Sequence, residues 1–135
     1  MFKSLSLADV LCFGALPVLA QEVPVETAKL GKSNVTLHVH PFLTEEELAT
    51  LRLVMTNKDA LAVFVPGKPG SFAAMAMAPD EGFVRDGAPV ASAMALADFA
   101  DAATAAAEAM AACDAARKAK SKASCVVVLE VGPAK

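Results

Sequence analysis

His38 and His40 are the only histidines in the chain and stand two positions apart. On an extended strand, side chains at i and i+2 leave the same face, so these two imidazoles can share a Zn²⁺ or Cu²⁺ ion if further N, O or S donors join them. Glu45, Glu46 and Glu47 follow closely and offer oxygen. No His-x-x-x-His pair or cysteine cluster completes a recognised metal pattern. The competing interpretation is two exposed polar positions on a half-solvated strand.

A second group, Asp80, Glu81, Arg85 and Asp86, surrounds Gly82 and Gly87. Paired carboxylates in a cleft can act as acid and base, whereas charges that do not converge are merely solvated. Other reactive patterns are missing. Gly67-Lys68-Pro69-Gly70 lacks the Gly-x-x-x-x-Gly-Lys-[ST] arrangement that cradles phosphate, and no Gly-x-Ser-x-Gly provides a nucleophile elbow. The basic residues Arg117, Lys118, Lys120 and Lys122 have no aromatics among them to stack bases, and suit the negative end of a helix better. With a net charge of −3, the chain has no basic footprint for nucleic acid. The residues therefore name no catalytic group and call for no cofactor.

The first twenty residues read as an address. Lys3 gives a positive start, Leu5 to Leu19 is mostly apolar, and Val18-Leu19-Ala20 ends in small or β-branched residues before Gln21. That is the order of a secretory signal peptide, cleaved after Ala20. The apolar run is too short for a membrane anchor and contains Asp9. Residues 21–135 are then expected in the periplasm or outside the cell, with no stable membrane insertion. Cleavage removes Cys12 and leaves Cys113 and Cys125. In an oxidising compartment an even count favours a disulfide. Two separate thiols are the alternative; a redox pair normally has Cys-x-x-Cys spacing.

These residues must be positioned by a single domain, since 135 residues make two independent cores improbable. Its apolar fraction is 56%, too high for disorder, yet thirty residues are Ala, sixteen of them between Ala91 and Ala119. Residues 21–33 are polar and mixed and read as a flexible lead-in to a domain spanning 34–135. Asn34 to His40 alternates strictly and predicts a strand ended by Pro41. Thr44-Glu45-Glu46-Glu47 is a capping box that starts a helix, and residues 51–56 fit either its continuation or a strand. Ala60 to Val65 reads as a strand. Ser71 to Ala78, apolar on both faces, reads as a central strand covered on each side. Pro79 to Pro89 is a loop. A second helix, capped by Asp98 or Asp101, runs to about Lys118 with Ala103, Ala106, Met110, Cys113 and Ala116 facing inward. Cys125 to Val131 is the last strand, so a Cys113–Cys125 bridge would pin helix to sheet. This order predicts an α+β fold: a two-layer sandwich of mainly antiparallel sheet and two helices, ferredoxin-like or related.

The stretch from Ala60 to Val131 resembles a group of short, exported, uncharacterised bacterial proteins. The matching residues are Leu61-Ala62-Val63-Phe64-Val65-Pro66, Ala76-Met77-Ala78-Pro79 with Glu81-Gly82-Phe83, Ala105-Ala106-Ala107-Glu108 leading to Cys113, and Cys125-Val126-Val127-Val128-Leu129-Glu130-Val131. The resemblance implies an exported small α/β domain and assigns it no activity. Some sequences of this look carry a label of aminolevulinate synthase, a large two-domain family that holds pyridoxal phosphate on a lysine. This chain is too short for that architecture and has no corresponding lysine motif. The expectation is an exported, non-enzymatic domain that binds a protein or small-molecule ligand or serves the envelope. The alternatives are a metal-binding protein using His38 and His40, or a small enzyme with its site in the 79–89 loop.

Overall fold

The computed structural model describes residues 23–134, apart from Pro66 and Pro69. The expected leader, its cleavage point and Cys12 lie outside the described residues. The chain forms β1 (Val25–Leu30), β2 (Ser33–His38), α1 (Glu45–Thr56), α2 (Lys58–Phe64), β3 (Phe72–Met77), β4 (Val84–Arg85), β5 (Ala88–Pro89), β6 (Met94–Phe99), α3 (Ala102–Ala116) and β7 (Val126–Pro133). Five of the strands make one sheet in the order β1-β2-β7-β3-β6, and every neighbouring pair is antiparallel. The fold is α+β. Both helical crossovers are split: β2 and β3 run in the same direction with β7 between them, and β6 and β7 do so with β3 between them. Such split units are what the ferredoxin-like class is built from.

Alternation along β3 divides the interior in two. Ala73, Met75 and Met77 join Val35, Leu37, Leu129 and the α1 residues Leu51, Val54 and Met55 in one cluster. Ala74, Ala76 and Ala78 face the other way, onto Ala105, Ala109 and Cys113 of α3. Helices thus cover β3 from both sides, as its two apolar faces predict. α1 and α2 pack on one face and α3 on the other, each making its own helix-on-sheet layer.

Three elements differ from the sequence reading. Ala60–Val65 is not a strand but belongs largely to α2, giving three helices rather than two, and residues 51–56, which fitted helix or strand, continue α1. Ala60, Leu61 and Ala62 favour helix, and the Asn57 side chain starts it by accepting from the Ala60 amide at 3.0 Å. The expected flexible lead-in contains β1, whose Glu26, Ala28 and Leu30 are half-buried while Val25, Thr27 and Lys29 are exposed. That is the period-two pattern of a strand with one covered face. Met94–Phe99 has no β-branched residue to announce β6. In addition, the 79–89 loop contains the β4–β5 hairpin, turned by Asp86 and Gly87 at φ 55° and 76°. An Asp-Gly pair suits a turn that needs positive φ at both positions.

Helix α3 is capped by Asp101, which accepts from the Thr104 amide at 2.7 Å; Asp98 lies in β6. Its buried line is Ala105, Ala109 and Cys113, so Ala106 and Met110 are only half-buried, and Ala103 and Ala116 are exposed. The capping box of α1 forms as predicted, Thr44 accepting from the Glu47 amide and Glu47 from the Thr44 amide.

Candidate functional site

Glu47 has a second role beyond the cap. Its carboxylate is fully buried and accepts from the amides of Phe83 (2.7 Å) and Val84 (3.0 Å) and from the Arg85 guanidinium. Burial alone would raise its pKa; the Val84, Thr44 and Phe83 amides and Arg85 outweigh that and hold it below the ordinary value. Gly82 makes the approach feasible. It has φ +70°, and a Cβ there would lie 2.3 Å from a Glu47 oxygen and 2.6 Å from Arg85. Arg85 also donates to the Phe42 carbonyl at 3.2 Å.

The other loop carboxylates are likewise engaged in tethers. Glu81 accepts from Ser92 Oγ, Ser121 Oγ and the Lys118 amide, and Asp80 accepts from the Lys122 amide. The hydroxyls of Ser121 and Ser92 are the main reason the Glu81 pKa falls to about 2. Asp114 accepts from the Cys125 amide at 2.8 Å and from Arg117 at 2.9 Å, which lower its pKa in that order. The Glu81 and Asp80 bonds fasten the connection from α3 to β7 onto the 78–92 region, and Asp114 ties the two ends of that connection together. Cys113 and Cys125 are buried with sulfurs 1.98 Å apart, at disulfide distance. Asp80, Glu81, Arg85 and Asp86 border an open cleft of about 640 Å³. The first three are directed to different partners rather than to one point.

His38 and His40 stand with ring centroids 6.3 Å apart. His38 Nε2 donates to Glu130 at 2.6 Å, and His40 Nε2 donates to the Val127 carbonyl at 3.0 Å while its ring stacks on Phe42. Each Nε2 therefore faces an acceptor. Among the described residues, no group of three or more His, Cys, Asp or Glu is placed to hold a metal ion.

A different place has the form of a ligand site. The β1–β2 turn, α2 and Gly67, Lys68 and Ser71 border a cleft of about 400 Å³. Leu30, Leu61, Val65, Ala73 and Val131 make its apolar lining, and Lys32, Lys58 and Lys68 stand at its rim with Ser33 and Ser71. No carboxylate or imidazole is among the lining residues. Lys68 and Ser71 are fixed by Asp98, which accepts from the Lys68 amide at 2.8 Å and from Ser71 Oγ at 3.3 Å. Asp98 does so with φ 70°, uncommon for a residue with a side chain.

The sequence reading missed this cleft. Gly67–Gly70 was legible as a turn, but Lys32 lies in the β1–β2 turn and Lys58 opens α2, and only the hairpin and the helix bring them to it. Comparison does not identify it either. No protein-family model, no curated protein and no solved structure matches the chain. Among the described residues, no helix is long and apolar enough to cross a membrane.

Proposed function

We propose that this chain is an exported, non-enzymatic binding domain whose small-molecule ligand occupies the cleft between the β1–β2 turn, α2 and residues 67–71. The observation that carries this reading is the combination of an apolar floor with a ring of charged groups. Small-ligand sites are concave, mostly apolar and marked by a few placed polar groups, with volumes of roughly 300–1,000 Å³; this cleft, at about 400 Å³, falls among them. Asp80 and Glu81, two of the loop carboxylates that acid–base chemistry would use, are engaged in holding the α3–β7 connection and Ser92. Export is supported by the signal-like composition of Met1 to Ala20 and by two remaining cysteines at bonding distance.

Ala62 is exposed and lines the cleft, so Ala62→Trp fills the space without touching the core. In a thermal-shift screen of small acids, amines, sugars and amino acids, at least one compound should raise the melting temperature of the native protein and not of Ala62→Trp. A screen in which nothing shifts the native protein, or every hit shifts both equally, would overturn the reading. Amino-terminal sequencing of material from the native cell tests export, with Gln21 as the expected first residue.

A further inference from the structure

We infer that the ligand of this cleft is an anionic amphiphile, a single unbranched apolar chain ending in one carboxylate or phosphate. This rests on the binding reading above and adds the chemistry of the occupant. The floor offers Leu30, Leu61, Val65, Ala73 and Val131 and no aromatic ring, so it suits an aliphatic chain and gives a nucleobase nothing to stack on. The rim gathers three cations in a protein whose net charge is −3. Among the described residues, none of these three ammonium groups has a carboxylate within 4 Å.

Lys58 is directed there by a specific contact. Its chain lies across Gly31 in the β1–β2 turn, where an added Cβ would be 3.0 Å from Cε and 3.3 Å from Nζ. Lys68 is carried on the turn that Asp98 fixes from behind through its backbone amide, so that carboxylate holds the rim in place. An anionic head at the rim meets charges of opposite sign in a half-apolar setting, while the chain displaces water from the floor.

Isothermal titration of the purified native protein with hexanoate, octanoate and decanoate, below their micelle concentrations, tests this. Affinity should rise about fourfold for each methylene buried, until the floor is filled. Octyl phosphate is the second arm: binding by either head sustains the inference, and the ratio identifies the preferred one. Lys58→Gln should weaken octanoate by up to about fivefold, and a triple Lys32, Lys58, Lys68→Gln variant should remove the preference for octanoate over octanol. If octanol or octyltrimethylammonium binds as well as octanoate and Ala62→Trp still blocks all three, the anionic claim fails and the binding site stands. If no amphiphile binds, the inference fails; the reading beneath it survives only if another compound from the screen is blocked by Ala62→Trp. Octanoate binding that persists in Ala62→Trp would overturn both for this cleft.

Discussion

The two faces of the sheet are stabilised by different means. Under α1 and α2, the face is built from Leu37, Leu51, Val54, Met75, Met77 and Leu129, side chains whose burial is worth about 1.5–3 kcal/mol apiece. Under α3 it is built from Ala74, Ala76, Ala78, Ala105 and Ala109, and each methyl removes far less surface from water. What the second face lacks in apolar volume it replaces with connections: the Cys113–Cys125 link and the carboxylates of Asp80, Glu81 and Asp114 on the segment that joins α3 to β7. Small residues let a helix approach its sheet closely, but close approach alone gives little free energy. A covalent link limits what the unfolded chain can gain by leaving.

The largest expected effect lies on the bulky face, at its one buried carboxylate. Glu47→Gln leaves Arg85 without its charge partner and should destabilise the protein by about 3–5 kcal/mol in urea unfolding at neutral pH. Next, Leu51→Ala should cost about 2–5 kcal/mol, whereas Ala109→Gly, equally buried beneath α3, should cost about 1 kcal/mol. Equal losses would show that the faces do not differ as described. Third, reduction, or the paired Cys113→Ser and Cys125→Ser substitutions, should remove roughly 3 kcal/mol, given the short loop the link closes. Amide exchange should then accelerate in α3 before α1; simultaneous acceleration would mean that the faces open as one unit.

The smallest effect concerns Glu81 and is read from how stability depends on pH. Its folded pKa, about 2, lies below the ordinary value of 4.5. Its contribution to stability is therefore fully present above pH 4.5 and is lost as pH falls toward 2. Acid-induced unfolding monitored by circular dichroism should be less steep for Glu81→Gln across that interval.

Much of this architecture was legible in local chemistry. The capping box at Thr44–Glu47, the alternation from Asn34, and the doubly apolar run from Phe72 each specify an element through short-range physics, and each forms. The pairing of Cys113 with Cys125 followed from the even count left once Cys12 is discounted, and their positions at the end of a helix and the start of a strand agree with it. Elements that depend on tertiary context were not legible. β6 is a strand because β3 offers it an edge, despite a sequence of Ala, Leu and Met that suits helix equally well. The phase of α3 was misjudged because alanine on all sides leaves little hydrophobic contrast to orient it. The cleft is the extreme case, since Lys32 and Lys68 lie in two separate turns, Lys58 opens α2, and no spacing rule relates them.

Strand β7 comes latest along the described chain and yet occupies the middle of the sheet. On the ribosome, residues 126–133 emerge after all the other described strands and helices have been made. Until then the β1–β2 and β3–β6 hairpins have no common neighbour. Closure thus waits until residues 126–133 have been made, with pairings between residues nearly a hundred positions apart, as for Leu37 with Leu129. A stop codon ahead of Cys125 would remove the strand that joins the two hairpins rather than trim a margin, and a nascent polypeptide that cannot close early remains threadable through a narrow pore.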